Sequence, residues 1–237
     1  MKSWVLRKII NLPGSIYLTI ACVVAVKFLG PQLSLCRPAH DTKWTNIRNK
    51  DPSFFTSHVM FSQRDQLFSL PASGGNHIGS WDLLKHKSKP KLQKLHFQNI
   101  PTLKKELWDS CYRTEHLVES SAGETFLVFW YRSIELYMPD AETKGFMVFL
   151  VDKEGNATYT EDIGDLCIFL SKSEPFCLPA SSFPGLERNY IYYVDLNESY
   201  QDIERGGFSL CRANSAENFS KFHTSYVPYY FPPQPIQ

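Results

Sequence analysis

The sequence contains no C-x-x-C pair, no cysteine–histidine spacing of a zinc site, no G-x-S-x-G and almost no net charge. Each absence removes a class of function. Without paired cysteines or a cysteine–histidine array, no metal knuckle can organise a small domain. Without a G-x-S-x-G elbow, no serine is presented in the manner of the α/β-hydrolases. With 25 basic against 24 acidic residues, no global field draws the chain to nucleic acid or to an anionic membrane. Long hydrophobic runs are lacking too. The run Ile16–Val26 is about eleven residues, against the roughly 20 that a membrane-spanning helix needs, so no membrane span is expected.

What is present points to β structure. Aromatics make up 14% of the chain, mostly Phe and Tyr, among Val- and Ile-rich runs broken by Gly and Pro. At 237 residues the chain can bury one sizeable core, in one or two domains. The cysteines Cys22, Cys36, Cys111, Cys167, Cys177 and Cys211 are scattered, as buried small hydrophobes are in a reducing compartment. Asn156, Asn197 and Asn218 each open an N-x-S/T sequon, which carries meaning only in a secreted chain. At the amino terminus, Lys2, Arg7 and Lys8 precede the apolar run, as in a signal peptide, a membrane anchor or a mitochondrial presequence. The same run also reads as a buried strand over Ile20–Phe28, and this reading is the one adopted. Residues 1–15 are accordingly set apart as an amino-terminal segment, a targeting peptide or a non-native start, and 16–237 as one domain.

A repeated unit runs along the chain. SLCRPAHDTKWTNI from Ser34, SWDLLKHKSKPKLQKL from Ser80, VFLVDKEGNATYTEDI from Val148 and SLCRANSAENFSKF from Ser209 share one plan: strand, polar turn, strand. Their turns are rich in Asp, Asn, Gly, Lys and Pro, which tolerate left-handed backbone or preset φ. Two earlier hairpins, HVMFSQRDQLFSLP and HLVESSAGETFLVFWYR, precede the second and third of these. A third upstream pair is read from LCIFL and NYIYYVD, with a serine- and proline-rich outer connector between them. A hairpin, a linker and a second hairpin make a four-stranded antiparallel unit, the pattern of a β-propeller blade. A two-sheet sandwich would explain the strands but not the repeated order of hairpins. The expected fold is therefore all-β: a β-propeller-like stack of four-stranded antiparallel blades, incomplete at about four, with one short helix near 102–111. Cys22–Val26, His58–Phe61, Leu117–Glu119 and Leu166–Leu170 are assigned to the inner strands.

Three stretches carry a likeness: HVMFSQRDQLFSLPASGGNHIGSWDL, ELWDSCYRTEHLVESSAGETFLV and DIGDLCIFLSKSEPFCLPASSFPGLERNYIYYVD. They closely resemble the plant F-box-associated, KIB-type β-propeller proteins, catalogued as domain of unknown function 295. The likeness is most specific over Gly164–Gly185, where G-D-x-x-x-F-L, S-x-P-F and A-S-x-F-P-G follow in the family's order. It implies a propeller used as a protein-binding surface, often behind an F-box that recruits a ubiquitin-ligase scaffold. A related group lacks the F-box and has an organelle-directed amino terminus. Here Asn11-Leu12-Pro13 is similar to the start of an F-box, but strand follows at once. The expectation is a member without an F-box, truncated or divergent, and intracellular: cytoplasmic, nuclear or mitochondrial.

The candidate sites all have structural readings beside the functional ones. His77 follows the glycine-rich loop at Gly74-Gly75-Asn76, which does not open a helix as a phosphate cradle does. Glu161, Asp162 and Asp165 lack the spacing of a calcium loop and read as a solvated corner. His116 reads as a satisfied strand-end histidine. Lys85, His86, Lys87, Lys89, Lys91 and Lys94 form a basic run that reads as a solvated edge. No residue is assigned a catalytic, cofactor or metal role, and no cofactor or nucleic acid is expected. The expected function is non-catalytic binding of an unidentified protein partner. The alternatives are a ubiquitin-ligase adaptor and a hydrolase-like enzyme with its site at the propeller channel.

Overall fold

A computed structural model describes residues 3–10, 21–28, 30–37, 41–82, 89–102, 110–133, 143–171, 174–197, 202–209 and 216–223. The chain divides into two compact units, Met1–Gln93 and Lys94–Gln237. The short helix expected near 102–111 falls on 103–109, outside the described residues.

The first unit contains two four-stranded sheets in simple meander order. One is β1 (Ser3–Ile10), β2 (Ala21–Phe28), β3 (Gln32–Cys36) and β4 (Thr45–Arg48). The other is β5 (Met60–Ser62), β6 (Leu67–Pro71), β7 (His77–Asp82) and β8 (Lys91–Lys94). Alternate residues supply a single core: Ala25, Leu33, Leu35 and Ile47 from the first sheet, and Phe61, Phe68, Leu70 and Trp81 from the second. Phe54, in the one-turn 3₁₀ helix Pro52–Phe54 between the sheets, joins that core at 0% exposure. Its ring meets Trp81 edge-on, with centroids 5.7 Å apart.

The residue behind Phe54 must be glycine. A Cβ on Gly79 would sit 2.7 Å from the Phe54 ring and 3.1 Å from Trp81, closer than carbon atoms pack. Lys27 is a second pinning point. It is 3% exposed on β2 and donates from Nζ to the carbonyls of Gly30, at 2.9 Å, and Phe55, at 3.0 Å. It thereby ties the β2–β3 turn to the segment after the 3₁₀ helix. Burial pushes its ammonium down to about 8.

The second unit contains two five-stranded sheets. In one, β10 (Cys111–Glu119), β11 (Thr125–Ser133), β12 (Thr143–Val151) and β13 (Asn156–Thr160) form an antiparallel meander. β9 (His96–Gln98) comes earlier in the chain yet adds in parallel to the far edge of β13. The other sheet has the order β15-β14-β16-β17-β18, from β14 (Leu166–Leu170), β15 (Phe176–Pro179), β16 (Tyr190–Asn197), β17 (Asp202–Ser209) and β18 (Ala216–His223). Phe126, Val128, Trp130, Phe146 and Val148 of the first sheet pack against Ile168, Leu170, Cys177, Ile191 and Tyr193 of the second. At the centre, Trp130, Phe146 and Tyr193 form a triangle of rings with centroids 5.4–5.5 Å apart. The Trp130 indole N–H is satisfied by Thr143 Oγ1 at 3.0 Å. Leu127, Phe129, Tyr131, Met147 and Phe149 leave the opposite face and are buried as well. With both faces covered, β11 and β12 read as continuous apolar runs rather than alternating ones.

The fold is all-β, built from four- and five-stranded, mostly antiparallel sheets, as the hairpin repeat indicates. Three of the repeated hairpins form where expected, as β3–β4, β7–β8 and β12–β13; of the fourth, β18 covers the second strand, while the first, which follows Ser209, falls on 210–215, outside the described residues. The two earlier hairpins form as β5–β6 and β10–β11. The reading of LCIFL and NYIYYVD as a hairpin is corrected: β14 and β16 are parallel, with Cys167 opposite Tyr190. The intervening segment supplies a strand of its own, β15, which folds back on the other side of β14 from Phe169↔Phe176 to Leu166↔Pro179. A 3₁₀ turn, Ala180–Ser182, then begins the return to β16. Pro179 is tolerated because β15 is an edge strand, where a missing N–H leaves no ladder partner. For the same reason Leu166–Leu170 is second in its sheet rather than innermost. Cys22–Val26 is also second, because β1 pairs along the whole of β2 from Ser3↔Phe28 to Ile10↔Ala21.

Two outcomes test this packing. Gly79→Ala lowers stability by about 1–3 kcal/mol through overpacking, and Phe54→Leu in the same chain recovers part of the loss; thermal unfolding of the single and double variants measures it. Lys27 has a folded-state value near 8 against 10.5 for the free side chain, so the unfolded chain binds more protons between those limits. Stability contributed at this site therefore rises as pH climbs from about 8 to 10.5. Urea midpoints for the parent and Lys27→Met should differ in slope over that window, with the rise missing from the variant.

Candidate functional site

The nearest approach to a catalytic constellation lies beside the 3₁₀ helix of the first unit. Asp51 caps that helix by accepting from the Ser53 N–H at 2.9 Å. The Ser53 hydroxyl and this N–H hold its carboxyl below the usual range. His77 opens β7 nearby, with Nε2 3.4 Å from Ser53 Oγ and 3.5 Å from Asp51 Oδ2. Serine and aspartate thus approach the same ring nitrogen, while Nδ1 faces Asn76 Oδ1. A proton relay needs them on opposite nitrogens, so that the acid orients the ring and the other nitrogen takes the hydroxyl proton. The His77 ring also packs edge-on against Phe54, at 5.1 Å. What these groups do is fasten the glycine-rich loop to the helix cap.

In the second unit, β10 carries a cluster that sequence reading passed over. Arg113 Nε donates to Glu115 Oε1 at 3.0 Å, and the guanidinium lies 4.2 Å above the Phe129 ring. Tyr131, opposite Arg113 in the register, has its hydroxyl pushed up by burial, with Arg113 pulling the other way. The signal was the alternation of Arg113, Glu115 and Leu117, which puts all three on one sheet face. His116 lies within β10, buried, with Nε2 3.0 Å from Thr114 Oγ1 and its ring 5.9 Å from Trp130.

Glu161, Asp162 and Asp165 are exposed and turn to separate local tasks. Glu161 accepts from the Tyr159 hydroxyl at 2.7 Å, and Asp162 accepts from the Gly164 N–H at 2.8 Å. Asp165 accepts from the N–H of Ser181 at 3.2 Å and from its hydroxyl. Among the described residues, no group of three His, Cys, Asp or Glu side chains is placed to hold a metal ion. The corner is organised instead by Asn189, 4% exposed, which sequence reading also missed. Its Nδ2 donates to Glu161 O at 2.8 Å, its Oδ1 accepts from Ile163 N at 3.0 Å, and its own N–H donates to Leu166 O at 2.7 Å. Its φ of 56° is one that asparagine tolerates better than most residues.

Cys167 and Cys177 lie on neighbouring strands one register step apart, Cys167 opposite Leu178 and Cys177 opposite Ile168. Their side chains therefore leave opposite faces of the sheet and belong to different clusters. Burial pushes the two thiols up, to about 11 and about 12, so neither is a thiolate nucleophile at neutral pH. Cys36, Cys111, Cys167 and Cys177 are in the thiol form, outside any disulfide. Of the sequons, Asn156 has its amide held by Asp152 Oδ2 at 2.7 Å. The side chains of Asn197 and Asn218 lie outside the described residues. Of the basic run, Lys85, His86 and Lys87 lie outside them too, and Lys89, Lys91 and Lys94 are exposed.

A family model described as the KIB1-4 β-propeller matches residues 3–217. The chain belongs to that family. No curated protein matches it. The match takes in β1, ahead of residue 16, where the sequence reading began the propeller domain. Within this KIB-type propeller, the residues that carried the sequence likeness hold β14, β15 and the return turn together. Asp165 of the G-D pair clasps Ser181 of the A-S pair, and Ala180 N donates to Asp165 O at 2.7 Å. Phe169 stacks on Phe176 at 4.9 Å and on Tyr192 at 5.1 Å, a three-ring ladder across β15, β14 and β16. The motif is scaffolding. Among the described residues, no helix is long and apolar enough to cross a membrane.

Asn189→Ala removes one donor and one acceptor that hold the 161–166 corner, and lowers stability by about 1–3 kcal/mol. Asn189→Asp keeps the acceptor to Ile163 and loses less; chemical denaturation of the two variants gives the order.

Proposed function

We propose that this KIB-type propeller is a non-catalytic platform that binds a protein partner inside the cell, in the cytoplasm, nucleus or a mitochondrion. One observation carries the reading: among the described residues, the side chains best suited to chemistry are spent on the fold. His77 and Asp51 fasten a loop to a helix cap, Arg113 pairs with Glu115 over a ring, and the thiols of Cys167 and Cys177 are buried on opposite faces. Catalysis by a serine, histidine or cysteine needs such groups to converge with a base oriented by a third partner. The family likeness supplies the positive half of the argument, since propellers of this type resemble protein-binding surfaces. Fold alone does not fix function.

The hydrolase reading draws on the closeness of Ser53, His77 and Asp51. It would require the aspartate to move to Nδ1. The ligase-adaptor reading draws on the F-box association of similar proteins and would require a scaffold-binding segment.

Tagged full-length chain, expressed in plant cells and crosslinked before purification, should recover a small set of proteins at near-stoichiometric yield. A ubiquitin-ligase scaffold among them would establish the adaptor role. Covalent labelling of Ser53 by a fluorophosphonate probe, lost in Ser53→Ala, would overturn the non-catalytic reading.

A further inference from the structure

β8 is the terminal strand of its sheet, on the side away from β7. Its residues are almost all solvent-facing, and Leu92 is 57% exposed, the highest value among the large apolar side chains described. Lys91 immediately precedes that leucine, Lys89 lies two residues further back, and both are exposed. Trp44, the other large apolar side chain well exposed in this unit, precedes β4 and lies outside any strand.

A terminal strand presents a row of backbone donors and acceptors on its open side, and proteins ordinarily cover or blunt such an edge. This fold does so elsewhere. The equivalent outer strand of the third sheet, β13, is covered by β9, which adds through Asn156↔His96, Ala157↔Phe97 and Thr158↔Gln98. Its backbone bond from His96 N to Gly155 O is 2.8 Å. Three residues of extended chain therefore complete one blade edge, and β8 has no strand in the corresponding place among the described residues.

We propose that the open edge of β8 is a strand-addition site for an extended acidic segment of a partner protein. Main-chain hydrogen bonds to β8 give the register, as in other cases where a peptide joins a sheet edge. Alternate acidic side chains of the segment meet Lys89 and Lys91, and the apolar side chain next beyond the pair covers Leu92 on the other face. Lysines on a strand edge discourage pairing between two copies of this chain, because like charges would face each other, while they favour an acidic visitor. The edge is thus selective for charge.

This site rests on the protein-binding reading and can fail without it. The probe is a fluorescein-labelled peptide of alternating glutamate and valine, titrated into the full chain at low salt. A second peptide, N-methylated at every other residue, loses the backbone donors on one side. Double-stranded DNA serves as a polyanion without a β-strand backbone. Saturable binding of the first peptide, lost on N-methylation and weakened about tenfold by Lys89→Glu/Lys91→Glu, establishes the site. Equal binding of the N-methylated peptide or of DNA overturns it in favour of plain charge attraction, and absence of peptide binding overturns it outright. If the double variant still recovers every partner of the parent chain, the edge is not the site and the wider reading stands. If the parent recovers no partner, the wider reading falls whatever the peptide does.

Discussion

The interaction on which the rest depends is the burial of one sheet face against the next. In the second unit, Trp130 and Phe146 of one sheet and Tyr193 of the other interlock, surrounded by Val and Ile from both. Fully burying one such side chain is worth about 1.5–3 kcal/mol, and an aromatic pair adds about 0.5–1.5 kcal/mol. Exposed ion pairs such as Arg64–Asp65, at 2.9 Å, contribute at most about 1 kcal/mol. The apolar contacts therefore decide the architecture. β11 and β12 are apolar on both faces, so their sheet cannot stand alone in water, and this is the physical reason for a stack of blades.

Stacking leaves the chain with polar groups that must be satisfied inside or at the corners. Asn189 spends three hydrogen bonds on the corner that leads into β14. Asp165 clasps Ser181, and the Trp130 indole finds Thr143. Lys27 goes to carbonyl oxygens rather than to water, at the cost of a lowered proton affinity. Each of these residues looks chemically interesting in isolation and is structural in context. Among the described residues, these polar groups are committed to holding the sheets and their corners together.

Much of the fold was legible because a hairpin is a local object. Asp152, Gly155 and Asn156 mark their turn in the sequence, and in the structure Asp152 accepts from Asn156 N at 2.8 Å while Gly155 has a φ of 92°. What was not legible is long-range order within a sheet. Phe176–Pro179 is too short and too proline-marked to announce a strand, so the parallel pairing of β14 with β16 could not be seen. β9 was hidden for a similar reason: three residues carry no periodicity, and their partner lies some sixty residues away. For Lys27 the sequence shows a charge but not the two carbonyls that receive it. At the candidate site, His77 and the acidic corner stand out in the sequence by their residue types alone. Sequence reading missed Asn189 and the Arg113–Glu115 pair, whose roles depend on contacts across strands.

Native-state hydrogen exchange across the second unit tests the central claim most directly, by comparing amides of β11 and β12 with those of β14 and β16. If each sheet exists only because the other covers it, both sets exchange through one opening reaction with the same free energy and the same denaturant dependence. Exchange of β14 and β16 at a distinctly lower free energy, while β11 and β12 stay protected, would contradict the account.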